Sequence, residues 1–355
     1  MLELFTAQLA RGQALSEEQV ALAGQQLLAE GVPPQLKADF LTELARKGET
    51  VAEIAAFARY LRSKSVLPPI DSQWRAAHEI LDVCGTGGDR LNTFNISTTV
   101  ALVCAAAGVP VAKHGNRAIT SQAGSADVLE ALGIRIDLSP AAAADSLRER
   151  NFAFFFAPHY HPAFKHLAPA RKLCAERGQR TIFNFLGPLL NPARPSAQLI
   201  GVPRPELCEP VARVLQSLEA RRGMVVSGDV GPGPGSGGDG PKRFLDEFST
   251  LGDNTLAEFY QERGFSCSVL PLNGFPLQKG SLEDLVGGDR QANALITRSI
   301  LAGKERGPKR DAVLLNSAAA LFVAGRVKTL MAGWELSTDL IDGGQALDKV
   351  EQLRG

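Results

Sequence analysis

Apolar residues in the first 66 positions recur at helical spacing. Val51, Ile54, Ala55, Ala58 and Leu61 fall on one face, the period of an amphipathic helix. Two capping boxes mark helix starts, Ser16 with Gln19 and Thr50 with Glu53, because side chain and backbone satisfy each other's free groups there. Gly31 and Gly48 are the expected stops, and Pro33-Pro34 opens the helix between them. Pro68-Pro69 ends the segment. Nothing polar in it converges as a site would, so it reads as a small helical domain packed on a partner.

From Glu79 the pattern changes to short apolar runs alternating with helical ones. Glu79–Cys84, Val109–Lys113, Ile134–Asp137 and Phe152–Phe156 read as strands, the last fully apolar and suited to a buried position. Ser97 caps a helix through Thr98–Ala107, Ser125 and Asp127 begin another closed by Gly133, and Pro140–Arg150 is a third. Such alternation predicts a mainly parallel sheet with helices on its faces. Ligands of such sheets bind at the carboxyl ends of the strands. Downstream, Pro162 starts a helix through Arg171 and Lys172, Pro205–Arg221 reads as a helix and Gly223–Ser227 as a strand. Thr255–Tyr260 is strand-like, and helices are expected near 289–302, 309–324 and 339–353. Residues 228–241, GDVGPGPGSGGDGP, are too rich in glycine and proline for regular structure and predict a flexible excursion. The expected fold class is α/β, with a small all-helical N-terminal domain (1–70) and a larger α/β domain (75–355) around a mainly parallel central sheet.

Composition narrows the function classes. The chain has 355 residues, 45% hydrophobic and 21% charged, with 38 basic and 38 acidic residues. Zero formal net charge argues against nucleic-acid binding through overall charge. The five cysteines are widely spaced and include no CxxC pair, so reduced thiols in a cytoplasmic protein are expected rather than zinc or a disulfide framework. MLELFTAQLA has no basic segment before its apolar residues and does not read as a signal peptide. The longest apolar run, Val100–Ala112, is broken by Gly108 and Pro110 and is too short to span a membrane.

The chemistry concentrates between Asp82 and Gly133. GTGGD (85–89) and KHGNR (113–117) each follow an apolar run, and NIST (95–98) opens a helix. Glycine turns and helix N-termini present backbone N–H groups to anions. Gly85, Gly87 and Gly88 are not a dinucleotide fingerprint, since Arg90 stands where a glycine is required, and no P-loop motif occurs. Lys113 supplies a point charge for phosphate, Asn116 a donor and acceptor, and Arg117 a fork. Arg171 suits a carboxylate, which a guanidinium grips with two donors. Asp246-Glu247 offers oxygen ligands to a hard cation. His159, His161 and His166 lack an accompanying carboxylate, which argues against a histidine metal site. Asn293 and Asn316, in apolar helical patterns, read as structural.

DVCGTGGD, NIST, KHGNR with GSADVLEALG, HPAFKHLAPARK and FNFLGPLLNP, in this order, resemble the anthranilate phosphoribosyltransferase family across nearly the whole chain. The resemblance implies the nucleoside-phosphorylase-like phosphoribosyltransferase fold, with helices near 162–180 joining the N-terminal domain in space, and a homodimer through the helical domain. It implies that Gly85, Gly88, Asp89 and Thr93 line a phosphoribosyl pyrophosphate site, and that Asn95, Ile96, Ser97 and Thr98 bind its phosphates. Lys113, His114, Gly115, Asn116, Arg117, Ala118, Ile119, Thr120, Ser121 and Ser125 would form a second wall. Asn116, His159, Tyr160 and Arg171 would meet anthranilate, with Arg171 on its carboxylate. Ser97, Asp246 and Glu247 would hold Mg²⁺ on the diphosphate. Ala118-Ile119-Thr120-Ser121 departs from the Ser-Val-Ser-Ser common in the family, and the 228–241 loop is longer than usual.

The implied reaction needs no acid–base residue. It joins the anthranilate amine to the ribose and expels diphosphate, with Lys113, Asn116 and Arg171 positioning the reactants. Two rival readings share the fold. A pyrimidine nucleoside phosphorylase would not require Arg171 or the acidic pair. A non-catalytic nucleic-acid-binding paralogue would carry a basic face and have lost parts of the anthranilate site.

Overall fold

The computed structural model describes residues 1–118, 122–233, 240–260 and 263–354. Four helices open the chain: α1 (Leu2–Ala10), α2 (Glu17–Leu28), α3 (Pro34–Lys47) and α4 (Val51–Ser63). Both capping boxes form. Ser16 Oγ accepts from Gln19 N at 3.3 Å while Ser16 N donates to Gln19 Oε1 at 2.9 Å, and Thr50 and Glu53 repeat the exchange. Each cap contributes about 1 kcal/mol. α2 stops at Leu28, ahead of Gly31, whereas α3 runs up to Gly48, whose φ of 84° suits glycine.

The alternating segment follows. In chain order it comprises α5 (Ser72–Ala77), β1 (Leu81–Gly85), α6 (Ile96–Ala106), β2 (Val111–Gly115), α7 (Ser125–Ala131), α8 (Pro140–Arg150), β3 (Phe152–Phe156) and α9 (Ala157–Tyr160). Next come a 3₁₀ turn (Pro162–His166), α10 (Ala168–Glu176), α11 (Phe183–Leu186), β4 (Ala197–Gly201), α12 (Cys208–Ser217) and β5 (Arg222–Pro232). Strands β6 (Lys242–Leu245), β7 (Asn254–Tyr260) and β8 (Arg263–Leu270) precede α13 (Leu282–Leu285), α14 (Arg290–Leu301), α15 (Pro308–Val323), α16 (Leu330–Asp342) and α17 (Gln345–Leu353). The sheet order is β3-β2-β1-β4-β5-β7-β8, with β6 beside β5. β3, β2, β1, β4 and β5 run parallel, and β6, β7 and β8 are antiparallel to their neighbours. The carboxyl ends of β1, β2, β3 and β4 therefore open on one edge, where the glycine turns lie.

Two large cores flank the sheet. One packs α6, α15, α16 and α17 against it through residues such as Val100, Leu314, Trp334 and Val350. The other joins the N-terminal helices to the sheet's second face, uniting Phe40, Phe57 and Leu61 with Leu167, Leu186, Ile200 and Val225. Lys37, 1% exposed, bridges this junction by donating to Ala29 O at 2.6 Å and His166 O at 2.9 Å. Arg62 Nε donates to Leu189 O at 2.5 Å.

Several expectations are corrected. Ile134–Asp137 is not a strand: Ile134 makes one isolated bridge to Arg354, and Ile134 and Ile136 simply fill the core. The 228–241 stretch is partly regular, because β5 continues to Pro232 and pairs with β6 at Gly228–Leu245 and Asp229–Phe244. Residues 234–239 lie outside the described residues. The predicted helix 339–353 is the end of α16 and all of α17, separated at Gly343-Gly344, where Gly344 has φ 85°. The helix expected from Pro162 is a 3₁₀ turn followed by α10, and β8 had no sequence-based expectation.

Candidate functional site

β1 ends at Gly85 and turns through Gly87 and Gly88, with φ of 76° and 92°. These left-handed positions free the turn to fold under Asp246, whose Oδ2 accepts from Gly87 N at 2.6 Å. Room for that approach is made by Gly85 and Gly201 at adjacent strand ends, where a Cβ would overlap the Asp246 side chain or backbone. The adjacent carboxylate turns the other way. Glu247 Oε1 accepts from Ser97 N at 3.2 Å, at the N-terminus of α6, where the helix dipole favours negative charge. Asn95 sits at that N-cap without a side-chain cap bond. It donates instead to Ala123 O and accepts from Asn293, which also receives Gly288 N.

Lys113 on β2 completes this cluster. It is 1% exposed and donates to Val83 O at 2.7 Å and Ser97 Oγ at 3.3 Å. Beneath it, buried Asp82 accepts from Asn191 Nδ2 at 2.8 Å. Burial pushes the Asp82 carboxyl up to about 6, although Lys113 opposes the rise. The two site carboxylates are shifted further. Burial, then the proximity of Asp89 and Glu247, drives Asp246 well above the usual carboxylate range. Burial raises Glu247 to about 7 against the pull of Lys113 and Ser97. Asp246 thus crowds Asp89 and Glu247, while Lys113 draws on Glu247 and Asp82. Asn316 on α15 fixes the segment from behind, accepting from Phe248 N and donating to Phe248 O, both at 2.9 Å.

A second set runs from the end of β2. The His114 ring stacks edge-on with His161 at 5.3 Å, His161 with Phe164 at 5.1 Å, Phe164 with Phe183 at 6.0 Å, and the Arg171 guanidinium lies 5.6 Å from Phe183. Burial lowers His114 to about 3 and His161 to about 4, so both rings are neutral. His114 Nε2 and both His161 ring nitrogens lack a well-formed hydrogen bond, His161 having only a weak interaction with the Leu190 backbone. Arg171 makes no ion pair among the described residues. The result is an aromatic, uncharged path ending in a free guanidinium.

The structure therefore gathers Gly85, Asp89, Ser97, Lys113, Asp246 and Glu247 into one cluster, with Gly88 in the adjoining turn and Asn95 at the start of α6, and His114, which follows Lys113 on β2, begins the aromatic path towards Arg171. Ser125 donates to Asn116 O at 3.4 Å and packs against Gly115. Thr93 bridges Val286, while Ile96 and Thr98 are buried in the first turn of α6, Thr98 with an unpartnered hydroxyl. Two placements depart from expectation, at Arg117 and at Tyr160 with His159. Arg117 spends its fork on Asp127 at 3.0 Å and Glu130 at 2.9 Å, so its guanidinium is held by α7 rather than free for phosphate. Tyr160 is a core residue packed on Phe155, its hydroxyl unpartnered, and exposed His159 leans on Phe156. Ala118 N donates to Asp127, and Ile119, Thr120 and Ser121 lie outside the described residues. Sequence reasoning gave no site role to His161, Phe183, Asp82 and Asn191; His161, beside Pro162 at a helix start, carried a local signal, and Phe164 shares the helical face of Arg171.

Comparison with known proteins fits this arrangement. Residues 5–65 match the helical bundle domain of the glycosyl transferase family, and residues 77–347 match its a/b domain. The anthranilate phosphoribosyltransferase of Petrotoga mobilis is 42% identical over 99% of this chain and 96% of its own length, and that of Symbiobacterium thermophilum 44% over 98% and 95%. The crystal structure of the Thermus thermophilus anthranilate phosphoribosyltransferase superposes with a TM-score of 0.85 at 38% identity, covering 99% of both chains. The Saccharomyces cerevisiae enzyme, in complex with phosphoribosyl pyrophosphate and Mg, gives 0.83 at 26% identity over 99% of this chain and 96% of that one. None of these relatives is a nucleoside phosphorylase or a nucleic-acid-binding protein. With both domains matched in order and relatives aligned from end to end, this chain belongs to the anthranilate phosphoribosyltransferase family of enzymes.

Proposed function

We propose that the chain transfers the phosphoribosyl group of 5-phosphoribosyl 1-pyrophosphate to the amine of anthranilate in tryptophan biosynthesis, giving N-(5-phosphoribosyl)anthranilate and diphosphate. The observation that carries this reading is the pairing of two unlike half-sites. A cluster built for phosphate and a cation adjoins a neutral aromatic path that ends in the unpaired guanidinium of Arg171.

Mg²⁺ fits the first half. Its donors would be Asp246, Glu247 and the Ser97 hydroxyl, all oxygen ligands suited to a hard cation. The crowded, buried carboxylates are what a dication would satisfy. No set of three His, Cys, Asp or Glu side chains forms a complete cation cage among the described residues, in keeping with a metal that shares its ligands with the substrate diphosphate. When bound, Mg²⁺ supplies charge that stabilises the leaving diphosphate.

The protein's own groups do the rest. The Gly85–Gly88 turn and the N-terminus of α6, whose Gly87 and Ser97 N–H groups hold the two carboxylates, border the phosphates, and Lys113 adds a buried positive charge. Asn116 and neutral His114 border the ribose and the amine. Arg171 grips the anthranilate carboxylate, aiming the amine at the ribose C1. The nitrogen lone pair forms the N–C1 bond as the C1–O bond breaks, its electrons leaving on diphosphate, and the surplus amine proton passes to solvent. No general base is required, and catalysis rests on positioning and electrostatic stabilisation. No described helix is long and apolar enough to cross a membrane; we assign the enzyme to the cytoplasm as a homodimer.

Anthranilate fluorescence tests this directly. Product should form only with Mg²⁺, and Arg171→Ala should raise the anthranilate KM about tenfold or more, the scale of one charge-assisted contact, with little change for phosphoribosyl pyrophosphate. Equal rises in both KM values would refute the Arg171 role, and no product from the unmutated protein would refute the function.

A further inference from the structure

A second concentration of guanidinium groups lies at the opposite edge of the sheet. A surface pocket of about 560 Å³ is lined by Arg62, Arg75, Arg194 and Arg221. It sits beside Ser196 and Arg221, just ahead of β4 and β5, so it faces the amino ends of the strands. The phosphate-facing cluster is at their carboxyl ends. The pocket also spans the junction between the two parts of the chain. Arg62 comes from the end of α4, Leu67 and Pro68 from the connector, and Arg75 from α5.

The charges there are only partly balanced by protein groups. Arg62, 8% exposed, donates its Nε to Leu189 O, and Arg75 Nη1 donates to Ala193 O at 2.7 Å and Arg194 O at 3.0 Å. These are carbonyl partners that carry no compensating charge. Arg194 makes no ion pair among the described residues and holds a left-handed φ of 48°. Arg221 pairs with Glu79 at 3.1 Å, yet its Nε is buried without a partner. Glu219 is the one acid on the pocket wall. Four cations face Glu79 and Glu219, and buried Asp82, which also attracts Lys113, draws on Arg62, so the arginines keep a positive surplus. Repulsion is felt: after burial, the proximity of Arg194 is the next cause lowering both Arg62 and Arg75, Arg62 to about 10.

Like charges brought together with free donors are stabilised by an anion that bridges them. We propose that this pocket is a binding site for a divalent oxyanion of the phosphate class, separate from the catalytic cluster. Planar guanidinium forks match tetrahedral oxygens, and a dianion neutralises the surplus. Because its donors come from α4, the connector, α5 and the β4 and β5 approaches, a bound anion ties the helical part to the sheet.

Calorimetric titration of the full chain with inorganic phosphate at fixed ionic strength tests the site, with chloride as control. The catalytic cluster also accepts phosphate, so variants separate the two. Arg194→Asn keeps a residue tolerant of left-handed φ, and Arg75→Ala removes a half-buried donor; neither belongs to the catalytic machinery. Wild type should show a phosphate event that survives Lys113→Ala and is weakened about tenfold or more by either arginine variant. Circular dichroism verifies folding of each variant. A phosphate event abolished by Lys113→Ala and untouched by both arginine changes would overturn the proposal, as would no saturable binding in any form.

Discussion

Asp246 lies close to Asp89 and Glu247, buried Lys113 draws on Glu247 among them, and the charge of the site follows from that imbalance. Removing one carboxylate should be costly because the Mg²⁺ proposed there would lose a ligand. Glu247→Gln should lower kcat/KM on the order of 100-fold and raise the Mg²⁺ concentration for half-maximal rate; an unchanged Mg²⁺ dependence would remove Glu247 from the metal. His161 makes the opposite kind of statement. Its folded pKa of about 4 lies below the ordinary histidine value of about 6.5, so between these the unfolded chain binds the extra proton. Stability present above pH 6.5 is therefore lost as pH falls, by about 1.4 kcal/mol per pH unit for this one group. His161→Phe, in aromatic surroundings, should make the acid-side loss shallower by that slope in urea titrations at several pH values. An unaltered slope would mean that His161 is not buried neutral.

At the scale of elements, the critical feature is a short chain segment, Asp246–Ser249, crossing beneath the ends of β1, β4 and β5. It has no ladder of its own beyond β6, so α15 holds it through Asn316. Asn316→Leu leaves the Phe248 N–H and C=O buried and unsatisfied, which should cost about 3 kcal/mol. Denaturant midpoints would register that loss, and weaker Mg²⁺ activation should accompany it; a stability change below about 1 kcal/mol would remove the clamp role. Helices with local signals were legible, as the capping boxes of α2 and α4 show. Ile134–Asp137 was not, because an apolar run this short fits a core-filling loop as well as a strand. The junction of α16 and α17 turned on the left-handed Gly344, which a helical apolar pattern conceals.

At the scale of the molecule, the helical part presents apolar side chains outward, with Leu4 73%, Met1 58% and Leu22 41% exposed on or beside α1 and α2. Burying them against a second copy is the physical motive for the homodimer proposed above. Sedimentation should give twice the 37.8 kDa chain mass, and Leu4→Glu with Leu22→Glu should yield monomers that keep their fold. A monomeric wild type would exclude that assembly.

By itself the sequence determined the periodicities, two capping boxes, the alternation of strands and helices and the glycine turns, because these depend on residues close together along the chain. It also marked Lys113, Arg171 and Asp246-Glu247 as candidate chemistry through their residue types and the resemblance they carry. Only the tertiary structure decided which of these meet. Asp246 reaches Gly87 across 159 positions of chain, Arg117 is claimed by α7, Tyr160 turns into the core, and His161 takes its place beside His114. Contacts so distant in sequence arise from strand order and packing, which no local pattern encodes.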